Sequence, residues 1–328
     1  MALPPAFLPF AGREPESILI LKPSSLGDVI HTLPAVAALR SHWPKAQLRW
    51  LVNPEWAPLL QNNPAVDDVA IFPRQSFRGT LAPLRLVSWA RRFGRSAQSD
   101  LVLDFQGLFR SALIGHFCKR SAFYGLSDAR EGSRFFYHAT AAVSQAQHAV
   151  DRYLALVRAL GVPVSNPLQW PLPPAAPPPD FNAAPPFIAL HPFSRGKDKS
   201  LSLAEVHTLC EALAPARIVL LGRSDSTPTP LPHVENWLNR TSLLELSALL
   251  KLANWTLSVD SGPMHLAAAL SPRVLALHTW SDPQKVGPYP PEAWVWKAGA
   301  LFQRGKPETR LHAPNLVDIA AWLTRQTP

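Results

Sequence analysis

Cysteine is nearly missing from this chain: Cys118 and Cys210 are the only two in 328 residues. Two isolated thiols build no disulfide framework and lack the spacing of a metal site, which fits a reducing cytoplasm. Long apolar runs are missing as well, and none approaches the ~20 residues needed to cross a bilayer. Residues 1–12 are apolar, but no basic segment precedes them and prolines break them. A disordered or loosely docked arm is expected there rather than a secretory signal. There is no Asp-x-Asp pair to hold a metal. No zinc finger, RNA-recognition signature or tandem basic-aromatic pattern points to nucleic acid. Acids vanish between Asp68 and Asp100, a stretch that holds Arg74, Arg78, Arg85, Arg91, Arg92 and Arg95.

The rest of the composition is that of a soluble globular protein, 47% hydrophobic and 17% charged. The length exceeds one ordinary core and fits two domains of about 150 residues each. The net charge of +9 is uneven: residues 1–170 hold 18 Lys and Arg against 11 Asp and Glu, and residues 171–328 hold 14 against 12. A basic surplus of this kind fits a polyanionic partner, whether nucleic acid, phosphorylated glycolipid or an anionic membrane face; a solvated helix face is the plainer alternative.

Residues 17–40 organise the first half. Ile18 to Leu21 form an unbroken apolar run, as in a parallel strand buried on both faces. A polar turn from Lys22 to Gly27 comes next, and apolar residues then recur at Val29, Ile30, Leu33, Val36, Ala37 and Leu39, the spacing of a helix with one buried face. Strands are predicted at 47–52, 68–72, 101–104 and 122–126, with helices at 54–61, 81–93 and 148–160 and a turn into a helix after Asp104. From Pro163 to Pro186 there are ten prolines, a stiff stretch that no helix crosses and that suits an interdomain connection. The second half repeats the alternation, with strands at 187–190, 217–221, 255–259 and 274–277 and helices at 203–213, 243–252, 264–270 and 315–325. Strand–helix alternation predicts the α/β class, with parallel sheets covered by helices on both faces. Two Rossmann-like domains facing a cleft are expected, 1–170 and 171–328.

Two strand-to-helix turns carry the chemistry. At the first, Ser25, Gly27 and Asp28 sit where helix-start amides favour an anion. Read locally, Asp28 is an N-cap or first-turn acid. At the second, Asp260-Ser261-Gly262 ends a strand and opens a helix carrying His265, and the amides of such a turn can hold a diphosphate. Read locally, Asp260 is an N-cap and His265 a packed surface histidine. A third loop, His191 to Leu201, joins Arg195, Lys197 and Lys199 to hydroxyl and glycine donors such as Ser194 and Gly196, a match for phosphate oxygens.

The stretch Lys22-Pro23-Ser24-Ser25-Leu26-Gly27-Asp28-Val29-Ile30-His31-Thr32-Leu33-Pro34-Ala35 resembles the opening motif of glycosyltransferase family 9, the ADP-heptose:lipopolysaccharide heptosyltransferases. Asp260-Ser261-Gly262-Pro263-Met264-His265 resembles that family's Asp-(Ser/Thr)-Gly-x-x-His pattern, and Asp104 to Ser111 its Asp-x-Gln-Gly-Leu-x-(Lys/Arg)-Ser segment. The resemblance implies GT-B architecture, in which the last helix often returns to pack on the first domain. It implies Asp28 as general base, with Ser25 and Gly27 beside the acceptor. It implies Ser194, Asp260, Ser261, Gly262 and His265 around the donor. A lysine on the diphosphate is also implied. The count to the following helix favours Lys199, Lys197 stays open, and Leu201 stands where the family often has Trp. Asp225 after Gly222 is the ribose candidate and Thr241 the base-side candidate. Arg110, Arg130 and Arg152 are the counterparts of basic positions that face the anionic acceptor.

The activity implied by the resemblance is an inverting, metal-independent transfer of heptose from ADP-heptose, a substrate rather than a cofactor, to the Kdo sugar of Kdo-lipid A. The expected setting is the cytoplasmic face of a Gram-negative inner membrane, with the enzyme peripheral. Another family 9 transferase with a different sugar or acceptor, or a nucleotide-sugar 2-epimerase of the same architecture, is the alternative; an epimerase would act on donor alone.

Overall fold

A computed structural model describes residues 14–326, with the side chains of Lys197 and Pro307 outside that description. The arm expected at 1–12 lies outside the described residues. The chain divides into two compact units between Pro174 and Ala175. The division falls within the proline-rich stretch 163–186, which forms no helix or strand.

The first unit contains six parallel strands, β1 (Ser17–Leu21), β2 (Gln47–Val52), β3 (Asp68–Ile71), β4 (Leu101–Asp104), β5 (Ala122–Leu126) and β6 (Ala139–Ala141). Their order is β3-β2-β1-β4-β5-β6. The apolar run of β1 is central and fully buried, as its composition requires. Helices α1 (Leu26–His42), α2 (Ala82–Ser96) and α3 (Phe109–Phe117) cross between strands, and α4 (Ala149–Ala159) follows β6. Helix α1 packs on α4, and α2 on α3. The short helix predicted at 54–61 is only a 3-10 turn at Ala57–Leu59, because eight residues with prolines at both 54 and 58 do not sustain an α-helix. The three-residue edge strand β6 was not predicted; it is too short for a periodic signal.

Gly94 sets the α2–α3 approach. A Cβ there would lie 2.2 Å from the carbonyl oxygen of Phe117, a backbone atom that cannot rotate away. Gly94→Ala is therefore expected to cost about 1–3 kcal/mol by overpacking, read as a lower midpoint in urea at unchanged slope; an unchanged midpoint would show that the helices separate freely.

The second unit has eight strands: β7 (Ile188–His191), β8 (Ile218–Leu220), β9 (Val234–Asn236), β10 (Trp255–Val259), β11 (Val274–Leu277), β12 (Trp294–Lys297), β13 (Ala300–Gln303) and β14 (Lys306–His312). Their order is β14-β13-β12-β11-β10-β7-β8-β9. Helices α5 (Leu203–Ala212), α6 (Leu243–Leu252), α7 (Gly262–Leu270), α8 (Pro283–Val286) and α9 (Leu316–Gln326) complete it. The sheet is parallel up to β12 and antiparallel beyond it, so the wholly parallel sheet predicted from the alternation is corrected at this edge. The β12–β13 hairpin turns on Ala298 (φ 48°) and Gly299 (φ 75°). A two-residue turn of this kind normally shows Asn or Asp before Gly, and Ala-Gly hides it from sequence.

The closing helix α9 packs on α5 and buries Ile319, Ala320, Trp322 and Leu323 in the core of the second unit. Trp322 lies edge-on to Trp255, with ring centroids 5.5 Å apart, and against Trp294 at 4.7 Å. The antiparallel extension supplies part of the wall that this apolar face needs.

Candidate active site

In both sheets the strand order reverses beside a central strand, β1 with β4 in the first and β7 with β10 in the second. Open α/β sheets place ligands at the carboxyl ends of such strands. The candidate residues of each unit collect there.

In the first unit, Ser25 is the N-cap of α1. Asp28, three residues on, reaches back to accept from the Ser25 backbone N–H at 3.0 Å and from its hydroxyl at 2.8 Å. The first-turn role read locally is therefore realised, but it occupies only one carboxylate oxygen. The other, Oδ1, accepts from the Tyr153 hydroxyl at 3.0 Å and lies 3.7 Å from Lys22 Nζ. Lys22 is buried and donates to Tyr153 Oη at 2.7 Å and to the Phe105 carbonyl at 2.9 Å. Helix α4 is held against α1 in part by His31 and His148, whose rings meet edge-on at 5.1 Å. This packing brings Tyr153 to Asp28.

Desolvation by the surrounding protein pushes the Asp28 carboxyl up. Lys22 and the hydrogen bonds from Ser25 and Tyr153 outweigh it, and the net shift is downward. Asp28 is thus ionised at neutral pH, yet 37% of its side chain stays accessible, so a hydroxyl can reach it. Burial lowers Lys22, with Asp28 and Asp104 opposing. Asp104 itself is raised by burial and accepts from the backbone of Gln106 (2.8 Å) and Gly107 (3.0 Å) and from the hydroxyls of Ser111 and Tyr137, both at 2.8 Å. It braces the loop after β4 that leads into α3, whose second residue is Arg110.

The three acceptor arginines differ. Arg110 and Arg130 are exposed, and the Arg130 backbone N–H donates to the Gly107 carbonyl at 2.8 Å, joining their loops. Arg152 is paired with Asp128, the ordinary salt bridge that a surface arginine makes.

Tyr153→Phe removes a hydrogen bond to the charged form of Asp28, so the carboxyl is expected to rise. The acid limb of the pH–rate profile should move to higher pH; a profile identical to that of the parent would mean that Tyr153 only packs.

In the second unit, Lys199 Nζ donates to Asp260 Oδ2 at 2.6 Å. The same oxygen accepts from Ser281 Oγ, and His265 Nε2 is 3.9 Å from Oδ1. Burial pushes the Asp260 carboxyl up, but Lys199 and Ser281, with His265 and His278, bring it below the usual range. The N-cap of α7 is Ser261, not Asp260, and its hydroxyl accepts from Met264 N–H at 3.4 Å; the local reading of Asp260 as N-cap is corrected. His265 is buried rather than a surface residue. Ser194 belongs to the same loop as Lys199, its N–H donating to Ser200 Oγ at 2.8 Å. The Lys197 side chain lies outside the described residues. Asp225 is exposed in the loop after β8, and Thr241 half-buried just before α6, each apart from the Asp260 hydrogen bonds.

Lys22, Tyr153, Ser281 and His278 were not singled out from sequence, and Asp104 only as the start of a family segment. Lys22 and Tyr153 lie inside segments that were, within the opening motif and one residue after Arg152. His278 and Ser281 have no local signal; His278 is pushed down to about 4 by burial and meets Ser281 Oγ at 2.9 Å.

Residues 89–308 match the sequence profile of Glycosyltransferase family 9 (heptosyltransferase). The chain belongs to this family. Lipopolysaccharide heptosyltransferase 1 of Salmonella typhimurium is 30% identical over 83% of this family 9 chain and 91% of its own length. Lipopolysaccharide core heptosyltransferase OpsX of Haemophilus influenzae is 25% identical over 93% and 91%. In fold, the family 9 chain is similar to the E. coli heptosyltransferase WaaC solved with ADP, at a TM-score of 0.74 and 24% identity, covering 95% of this chain and all of that one. The fold is of the GT-B type, and the chain is a glycosyltransferase.

Proposed function

We propose that this glycosyltransferase moves heptose from ADP-heptose to the Kdo sugar of the lipopolysaccharide inner core, inverting the anomeric centre. The observation that carries the reading is Asp28, an ionised and accessible carboxylate held from three sides at the switch point of its sheet. Asp28 accepts the proton of the acceptor hydroxyl as that oxygen attacks the anomeric carbon opposite ADP. Lys199 spends one N–H on Asp260 and has further donors for diphosphate oxygens. With the amides at Ser261 and Gly262 and with His265, it stabilises the charge on the departing ADP. Asp225 binds the ribose, Thr241 lies near the base and Ser194 lines the phosphates. Arg110 and Arg130 take the anionic groups of the acceptor, assisted by Arg152. Fixed cations and amides supply the charge that a metal would otherwise bring, so no cofactor is required. The acceptor is lipid-linked, so the enzyme works at the cytoplasmic face of the inner membrane.

The support is the family membership, relatives named for heptose transfer in lipopolysaccharide, and side chains suited to both halves of the reaction. The test is a screen of nucleotide-sugar donors with and without Kdo-lipid A, monitoring nucleotide release. ADP should appear quickly only with ADP-heptose and acceptor together, and equally well in excess EDTA. Rapid consumption of donor alone would mean an epimerase or hydrolase, and loss of turnover in EDTA would return a metal to the mechanism.

A further inference from the structure

The carboxyl edge of the first sheet carries, besides Asp28, a rim of outward apolar side chains and arginines that the chemistry above does not use. Helix α2 begins beyond the end of β3, α3 beyond β4, and residues 127–138 come after β5, so all three segments emerge at the edge where α1 begins with Asp28. Gly94 against the Phe117 carbonyl shows α2 and α3 side by side near their far ends. Both run back from this edge, so both begin at it, the longer α2 reaching further out than α3.

Those first turns are greasy. Leu84 is 69% exposed and Phe135 94%, with Leu81 and Phe109 also exposed. The segment that carries Phe135 is held in place. Its neighbour Phe136 packs on Phe109 and His116 at centroid distances of 5.7 and 5.4 Å, and Ser133 Oγ donates to the Arg130 carbonyl at 2.6 Å. The segment leading into α2 is pinned likewise, Phe77 packing on Phe72 at 5.3 Å and on Trp89 at 5.8 Å. It carries Arg74 and Arg78, exposed together with Arg85 on the first turn of α2.

The far end of α2 is different. Arg91 lies over the Phe117 ring at 5.2 Å, and the Ser96 carbonyl accepts from Arg49 at 3.4 Å. The helix is about 22 Å long at 1.5 Å per residue, so Arg91 over Phe117 and the outward rim are well separated.

We infer that this rim docks the enzyme on an anionic bilayer surface, Leu81, Leu84 and Phe135 entering the headgroup layer while Arg74, Arg78 and Arg85 meet lipid phosphates. Apolar side chains flanked by cations, with no acid between Asp68 and Asp100, are complementary to such a surface. RNA fits less well, since aliphatic Leu81 and Leu84 give bases nothing to stack on. Docking along this edge presents the Asp28 side of the unit to the membrane. The inference rests on the lipid-linked acceptor proposed above and names the surface that meets its membrane.

The test is flotation of the full-length protein with vesicles of phosphatidylglycerol and phosphatidylethanolamine, or of phosphatidylcholine alone. Binding is expected to the anionic vesicles only and to be lost at high salt. Arg78→Gln/Arg85→Gln should weaken partitioning about 25-fold, about fivefold for each cation. Leu81→Ser/Leu84→Ser/Phe135→Ser should weaken it at least as much, with unchanged melting and unchanged ADP affinity by calorimetry. Absent binding of the parent protein, equal binding to both vesicle types, full binding of the triple variant or displacement by stoichiometric RNA would each overturn the inference. Intact ADP binding alongside such a result would leave the transferase reading standing; failure of the parent protein to bind ADP would count against that reading and not against the rim.

Discussion

Asp28→Asn is expected to reduce heptose transfer by ~10²–10⁴-fold, the usual contribution of a positioned base, while ADP binding stays close to that of the parent. Asparagine is nearly isosteric: its Oδ1 can keep accepting from the Ser25 N–H and hydroxyl, while its NH2 faces the Tyr153 oxygen and donates there instead of accepting, so the turn should hold its shape. It cannot take up a proton. The paired readout is steady-state ADP release with acceptor and calorimetric ADP affinity without it. Near-normal turnover would remove Asp28 from the role of base and leave it the cap that its contacts with Ser25 also make it. Because Lys22 and the hydrogen bonds keep its carboxyl low, the parent should hold its activity well into mildly acidic solution.

Lys199→Ala should have the next largest effect, a loss of ~10²–10³ in turnover, as when one donor to a developing anion is removed, together with weaker ADP binding. The ammonium is placed by Asp260 at 2.6 Å and lies over the Trp280 ring at 5.6 Å, so it is aimed rather than freely mobile. Lys199→Arg should recover part of the loss because the charge returns with a different fork. Lys197→Ala is the matched comparison: if it costs the transfer and Lys199→Ala does not, the diphosphate ligand is residue 197.

The carboxylates also give stability a pH dependence of opposite signs. Asp28 and Asp260 have folded values below the ordinary 3.8. Their contribution is complete above that value and is lost as pH falls through the lowered ones. Asp104 is raised, so its contribution is present at low pH and is lost as pH rises from 3.8 through its folded value. Asp104→Asn would remove this second component, and denaturant midpoints across acidic pH would show it.

Much of the first half was legible because its periodicity is strong. The strands at Gln47–Val52, Leu101–Asp104 and Ala122–Leu126 were read to the residue, since their apolar runs are bounded by turn residues. The antiparallel edge was not, because the Ala298-Gly299 turn that opens it lacks the usual side chain. The same division holds at the site. Asp28, Asp260 and His265 lie in turns whose residue order carries their chemistry, whereas Ser281 reaches Asp260 across 21 positions and Tyr153 reaches Asp28 across 125.

By itself the sequence determined the alternation of strands and helices, the two polar turns and the family to which they belong, because those depend on neighbours within a few residues. Only the tertiary structure decided the ionic setting of the two carboxylates, the commitment of α9 to the second core, and which arginines stand clear and which are tied down. Each of these depends on burial and on partners remote along the chain, and electrostatic strength depends on distance in space rather than in sequence.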